Sequence, residues 1–393
     1  MKADKNYIIY VGGFKLPNKN AAAHRVISNA KIFRELGYEV IFLGVNDQKD
    51  STDISLIINN SEFECWEEKY PQGKIEWCKY LISISNIKEL VVKQGTNKIK
   101  AIIAYNYPAI ALFRLKLFCE KNNIRLISDC TEWYDAKNGR GILNAVKWMD
   151  TSLRMNIVHF KMDGIICISE YLYSVYKGKC KCILVPPLVD LSEEKWINEK
   201  KEMHDEIKIV YAGNPGINKK SNSKDRIDLI IKFLYKLKDK YNFKLEILGI
   251  EREEYLQAFT EDTTIISKLN KKVKFYGKIN HNEVINKVKN ADFVMFFRNN
   301  NRVSRAGFPT KFVEAISAGT PVITNKSSDL EEYLIEEKNG FFINLSNDEK
   351  AILQIEKILS LSKNKIQDMK KNCKEIEDFD FRNFKDMFES LFN

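Results

Sequence analysis

Tyr7-Ile8-Ile9-Tyr10-Val11-Gly12-Gly13 and Ile207-Lys208-Ile209-Val210-Tyr211-Ala212-Gly213 are one device used twice: an apolar run closing on glycine, then a polar loop, then an amphipathic helix. In the first copy the helix reads from Asn20 to Leu36, with Val26, Ala30 and Phe33 on one face and Gly37 at its stop, and a strand follows at Glu39 to Leu43. The alternation continues through strands at Lys100 to Ala104, Arg125 to Ser128, Gly164 to Ile168 and Cys182 to Val185. Such alternation demands a parallel sheet with helices on both faces, because parallel neighbours need a crossover connection. After Pro186-Pro187-Leu188-Val189-Asp190 the charged stretch Leu191 to Glu206 reads as an interdomain connector. The second half repeats the theme with strands at Lys244 to Leu248, Val273 to Tyr276, Phe293 to Phe296, Pro321 to Thr324 and Gly340 to Ile343. The expected fold class is therefore α/β, two doubly wound Rossmann-like domains with a cleft between them: residues 1–190, a connector 191–206, a second domain 207–372 and a C-terminal helix within 373–393, read at Phe379 to Phe392. Residues 47–76 have weak periodicity and receive no assignment.

A chain of 393 residues with 44% hydrophobic content supplies a core to each of two such domains. No apolar run reaches the roughly 18 to 20 residues of a spanning helix; the longest candidate, Ala101 to Phe113, contains Asn106 and Pro108. Met1 to Asn6 leads straight into a strand, so no signal peptide is read and the expected location is the cytoplasm. The eight cysteines are scattered, and Cys180-Lys181-Cys182 has the wrong spacing for a zinc knuckle or a redox motif, so free thiols are expected. A net charge of +10 invites a nucleic-acid reading, but the lysines spread along the whole chain without a basic, aromatic-interleaved cluster, and no nucleic-acid partner is expected.

The stretch richest in chemistry runs from Arg305 to Thr324. Gly307 and Pro309 punctuate a loop, Thr310 is read as an N-cap, Val313 and Ile316 form a helix's inner face, Gly319 stops it, and Pro321-Val322-Ile323 starts a buried strand. Backbone N–H groups at the start of that helix, with Lys311 beside them, make a phosphate site, and Glu314 one turn on offers a carboxylate to a sugar diol. That combination suits a nucleotide sugar.

The run resembles the donor-site signature of glycosyltransferase family 4, in the branch where a Pro-Ser/Thr-Lys triplet precedes the second glutamate of a Glu-seven residues-Glu motif. By resemblance, Glu314 binds the ribose hydroxyls of the donor, and Pro309, Thr310 and Lys311 stand at the donor site. The first glutamate of the motif would fall on Ala306, so the usual contact to the donor sugar is missing. The resemblance implies the GT-B architecture, with the last helix crossing back to the first domain. It also implies a retaining transferase that moves a sugar from a nucleotide diphosphate to a glycan or lipid-linked acceptor in bacterial surface-polysaccharide assembly. The corresponding strand, glycine and loop clamp the donor diphosphate, which places Gly213, Asn214 and either Lys219 or Lys224 there; Lys224-Asp225 looks like the basic pair that opens the helix. Arg298, delivered by the buried strand Phe293 to Phe297, is a second phosphate ligand, and Lys278-Ile279 marks the base subsite. Lys224, Arg298 and Glu314 are thus the expected catalytic group. No cofactor is expected beyond the nucleotide-sugar substrate, a UDP-sugar being favoured over a GDP-sugar, and no metal.

Gly12-Gly13 lets the backbone approach a ligand, and Gly13 is assigned to the donor side, with His24 and Arg25 in the helix that follows. On the acceptor side, Asp129, Glu132 and Trp133 follow a strand and put acid and aromatic together, and His24 joins them. Ser169 closes a strand-to-helix turn as a cap. Asp378-Phe379-Asp380 spells a metal-binding Asp-x-Asp, but its place before the terminal helix makes Asp380 an N-cap. Ile142 to Lys161, with Trp148, Met149, Leu153, Val158 and Phe160 among Lys147, Arg154 and Lys161, reads either as a face resting on anionic membrane at the inner leaflet or as an internal packing helix. The alternatives to a transferase are a nucleotide-sugar epimerase on the same architecture and a catalytically silent sugar-nucleotide-binding protein.

Overall fold

The computed structural model describes residues 6–17, 20–59, 62–134, 142–197, 205–216 and 223–393. Two compact units emerge, one of Met1–Leu188 with Ala306–Phe308 and Asp380–Asn393, the other of Val189–Arg305 with Pro309–Phe379. The strands of the first unit are β1 (Tyr7–Gly12), β2 (Glu39–Asn46), β3 (Ser55–Asn59), β4 (Glu64–Lys69), β5 (Ile99–Tyr105), β6 (Arg125–Cys130), β7 (Gly164–Cys167) and β8 (Cys182–Leu184). They form one sheet ordered β3-β4-β2-β1-β5-β6-β7-β8, parallel except where β3 runs antiparallel to β4. In the second unit β9 (Ile207–Ala212), β10 (Phe243–Leu248), β11 (Val273–Phe275), β12 (Phe293–Met295), β13 (Val322–Thr324) and β14 (Gly340–Phe342) form a parallel sheet ordered β11-β10-β9-β12-β13-β14. Both units are α/β, each with a Rossmann-like sheet.

The two glycine-closed runs are the central strands, β1 and β9, and each has neighbours added in opposite directions on its two sides. That makes the crevice beyond their C-terminal ends a topological switch point, where doubly wound sheets hold ligands. Ile8, Ile9, Tyr10 and Val11 are all buried, as a strand covered on both faces requires. Gly12 is fixed by packing: a Cβ there would lie 2.7 Å from the Tyr105 carbonyl oxygen on β5. The helix Ala21–Glu35 begins where Asn20 Oδ1 accepts from the Ala23 N–H at 2.9 Å, and buries Val26, Ala30 and Phe33.

Several expectations change. The unassigned 47–76 region contains β3 and β4; four of the six β4 residues are charged, including the buried Glu68, which hides the strand from a hydropathy reading. Thr310 is the first helical residue of Thr310–Ser317, and Pro309 holds the cap position, because the Phe312 N–H closes the first turn on the Pro309 carbonyl at 2.9 Å. The connector stretch is partly built into the second unit: Trp196, in the turn Glu194–Trp196, is buried, and Lys289 Nζ donates to the Ile197 carbonyl at 2.7 Å. The face read at 142–161 divides, since Trp148 and Met149 are 50% and 61% exposed while Arg154 and Val158 are buried. Arg154 Nη1 spends its hydrogen bond on the Asn106 carbonyl at 2.7 Å. Among the described residues no helix is long and apolar enough to cross a membrane.

The single terminal helix read at Phe379 to Phe392 is a short turn, Phe381–Phe384, followed by the helix Lys385–Ser390. Asp380 caps the turn, accepting from the Arg382 N–H at 3.0 Å and pairing with its guanidinium. Phe388 and Phe392 pack on Phe33 with ring centroids 5.1 and 5.9 Å apart, and Arg125 Nη1 donates to the Leu391 carbonyl at 2.7 Å. Phe388→Ala should therefore cost about 3 to 5 kcal/mol of stability, read by urea unfolding, as for other fully buried aromatics. A loss below about 1 kcal/mol would show that the last helix is not part of the first unit's core.

Candidate functional site

At the C-terminal end of β9, a buried acid meets a buried arginine and a largely covered lysine. Asp225 is 3% exposed; its Oδ2 accepts from Tyr211 Oη at 2.7 Å and from Lys311 Nζ, and its Oδ1 lies 3.7 Å from Arg298 Nε. Tyr211 belongs to β9, Arg298 follows β12, and Lys311 stands in the first turn of Thr310–Ser317, so three elements meet at the switch point. The loop carrying Asp225 is pinned to β12: the Arg226 N–H donates to the Phe297 carbonyl at 2.8 Å, and Asn299 Nδ2 to the Ser223 carbonyl at 3.2 Å. Asn325 clamps the Arg298 backbone from both sides, at 2.8 and 2.9 Å. Gly213 is required here because Lys311 passes over it; its φ is +127°, and a Cβ would sit 3.3 Å from Lys311 Nζ. The ammonium then lies 4.2 Å from the centre of the Tyr211 ring.

Among the described residues one buried carboxylate meets both cations, and Glu314, one turn beyond Lys311, is a second negative charge that acts on Lys311. Burial would raise the Asp225 carboxyl, yet Lys311 and Arg298 outweigh it and hold the group below its ordinary range. Burial depresses both cations despite Asp225. Arg298 Nε and Nη1, buried, have no hydrogen-bond partner among the described residues. A buried guanidinium with unused donors is set for an anion, and its fork geometry matches phosphate oxygens.

Glu314 lies on the same helix as Lys311, one turn later, and is half-buried; His281 Nε2 stands 3.0 Å from its Oε1. Asn280 starts the His281–Asn290 helix by accepting from the Glu283 N–H at 2.8 Å, which sets His281 at the helix's first position. Gly277, with φ +62°, bends the chain before Lys278 and Ile279; Lys278 is exposed and Ile279 half-buried. Ala306 is fully buried. Asn214 Oδ1 accepts from the Gly216 N–H at 2.8 Å and so shapes its own loop. Lys219 lies outside the described residues. The Lys224 side chain is exposed, so the buried ammonium of the cluster is that of Lys311, where the sequence reading put Lys224 beside Arg298.

In the first unit the expected acceptor acid Asp129 is a structural residue. It is fully buried, and its oxygens accept from Arg25 Nε and Nη2 at 2.8 to 3.1 Å and from Tyr10 Oη at 2.5 Å. Arg25 also donates through Nη1 to the Val185 and Pro186 carbonyls at 3.0 and 3.2 Å. This arginine is buried, and its neighbour His24 is half-buried. Gly13 is exposed, with no atom within 4 Å of an added Cβ. Glu132 and Trp133 are half-buried; Asn106 Nδ2 reaches Glu132 Oε1 at 3.3 Å, and the Trp133 ring lies 6.2 Å from that of Tyr171. Sequence reading missed Asp225 as a site residue, although it adjoins Lys224; His281 carried no local signal at all, being 33 residues from Glu314.

Residues 192–376 match the family model of the glycosyl transferases group 1. An uncharacterized glycosyltransferase of Methanocaldococcus jannaschii is 27% identical over 176 residues, 44% of this chain and 41% of that protein, so the match spans about two fifths of the curated relative's length. Among solved structures, sucrose-phosphate synthase from Thermosynechococcus elongatus superposes with a TM-score of 0.72 at 14% identity, covering 98% of each chain. The E. coli trehalose-6-phosphate protein bound with UDP-2-fluoro glucose gives 0.69 at 10% identity over 99% of each, and Anabaena HepE in complex with UDP and glucose gives 0.63 at 13% over 98% of each. The chain has the GT-B fold, and the group 1 sequence pattern covers most of its second unit.

Asp225→Asn strands two buried cations and should cost about 3 to 5 kcal/mol near neutral pH. The carboxyl's folded pKa is depressed, so its contribution is complete above the unfolded value of about 3.8 and disappears as acid protonates the folded form. Inorganic pyrophosphate should raise the melting temperature of the variant by more than that of the parent protein, since the anion replaces the lost charge. Equal shifts in both would show that these cations do not face a ligand.

Proposed function

We propose that this chain is a retaining glycosyltransferase that takes a sugar from a nucleoside diphosphate donor held by the second unit and passes it to a glycan or lipid-linked acceptor. The observation that carries this reading is the buried Arg298 guanidinium, two of its donors open among the described residues, beside Lys311 and Asp225 at the β9/β12 switch point. A diphosphate supplies the acceptors that Arg298 Nε and Nη1 lack among the described residues. Glu314, one turn beyond Lys311 and steadied by His281, takes the role of ribose ligand. The solved relatives bound with UDP-2-fluoro glucose or with UDP and glucose support a UDP-sugar as donor.

In this reading the leaving diphosphate gathers charge as the sugar–oxygen bond breaks. Fixed cations stabilise it more in the transition state than in the ground state, because they are already in place and need no reorganisation. The departing phosphate oxygen accepts the proton of the attacking hydroxyl, so no side chain must act as base. Charge neutralisation falls to Arg298 and Lys311, with the exposed Lys224 beside the same loop as an added cation. The acceptor belongs to bacterial surface-polysaccharide assembly, and the exposed Trp148 and Met149 are the residues that would rest on the inner face of the membrane.

Glu314→Gln should lower donor kcat/KM by about ten- to a hundred-fold, the worth of a charged hydrogen-bonding site. Arg298→Gln should lower turnover by roughly two orders of magnitude or more. Transfer should continue in EDTA. Radiolabelled UDP- and GDP-sugars with a saccharide acceptor give the readout; activity that stops on chelation and returns with magnesium or manganese would contradict charge neutralisation by these side chains, and interconversion of donors without transfer would replace the transferase by an epimerase.

A further inference from the structure

The strand ends of the first unit hold a group of aromatic rings that the donor chemistry does not use. Tyr70 directly follows β4, Trp77 and Tyr80 lie on the helix Lys74–Ile82, and Tyr107 follows β5 by two residues. The rings form a connected set: Tyr70 to Trp77 is 5.5 Å, Trp77 to Tyr80 5.8 Å, Tyr70 to Tyr80 6.4 Å and Tyr80 to Tyr107 6.2 Å between centroids. Tyr70, Trp77 and Tyr80 are only partly covered, whereas Tyr107 is buried.

Glu68, near the end of β4, stands with them. It is 9% exposed, and Asn86 Nδ2 donates to its Oε2 at 2.8 Å. Its other oxygen, and the hydroxyls of Tyr70, Tyr80 and Tyr107, have no hydrogen-bond partner among the described residues. None of these four atoms is among the fully buried, unpartnered atoms of the described residues, so each is open to a polar ligand that enters from solvent. A purely structural aromatic cluster would not keep a carboxyl: burial pushes Glu68 up to about 7, a cost that a leucine at the same position would not incur. The place itself is one where doubly wound sheets bind ligands, beyond the carboxyl ends of parallel strands.

We propose that Glu68, Tyr70, Trp77, Tyr80 and Tyr107 form a site for a neutral hexopyranose, the acceptor's sugar ring. The aromatic faces cover the ring's C–H face, and the carboxyl and phenol groups exchange hydrogen bonds with its hydroxyls. A sugar acid would set its own charge against Glu68. The assignment to the acceptor rests on the transferase reading; the sugar site itself does not.

The test titrates methyl glycosides of glucose, galactose and N-acetylglucosamine, and octyl glucoside beside octanol, into the full chain, with UDP and GDP titrated in parallel. Glu68→Gln and Tyr80→Phe keep size and shape, and Trp77→Leu removes a stacking face. At least one methyl glycoside should bind, each substitution should weaken it by about three-fold or more, and nucleoside diphosphate affinity should stay within about two-fold. Failure of every methyl glycoside to bind, unchanged affinity in all three variants, or binding that follows the octyl chain and not the sugar overturns the site while leaving the donor reading intact. Sugar binding without any nucleoside diphosphate binding upholds the site and removes the transferase reading instead.

Discussion

The structure turns on a buried carboxylate that receives a tyrosine from a central strand. In the first unit Tyr10 of β1 donates to Asp129, and in the second Tyr211 of β9 donates to Asp225. The two tyrosines occupy the same place in the repeated device, two residues before Gly12 and Gly213. Each aspartate is then met by an arginine from another element, Arg25 in one case and Arg298 in the other. A shared arrangement thus ties the helix and strand ends around each switch point.

What differs is how the arginine's donors are used. Around Asp129 one arginine meets one carboxylate, and the arginine's remaining donors go to the Val185 and Pro186 carbonyls. The cluster is neutral and its hydrogen bonds are used, so it holds β1, β6 and the chain after β8 in register. Around Asp225 a second cation, Lys311, enters over Gly213, and two Arg298 donors stay open among the described residues. A buried guanidinium with open donors favours an anion that can enter. Lys311 and Glu314 share one helix, so the residues proposed to hold phosphate and ribose are fixed relative to each other by backbone geometry.

Most of the fold was legible because strand–helix alternation and glycine stops are local signals. The strands at Tyr7, Ile207, Phe293 and Gly340 are mostly apolar and hydropathy reveals them. β4 escaped because function or local chemistry put charge in it, Glu68 above all. The site was legible as a region and not as a network: Arg298 and Lys311 followed from strand-end and helix-start positions, yet their meeting on Asp225 joins residues 73 to 86 positions apart along the chain. Asp129 shows the converse, an acid at a strand end whose environment turned it into a brace. Sequence position tells which residues reach a crevice; only packing tells which of them is already spent.

The central claim is that the β9/β12 crevice is built for a diphosphate, and calorimetric titration of nucleoside mono- and diphosphates tests it most directly. UDP or GDP should bind at least about ten-fold more tightly than the matching monophosphate, and Arg298→Gln should remove most of that increment while changing monophosphate binding little. Equal affinity for mono- and diphosphate in the unaltered protein would contradict the account.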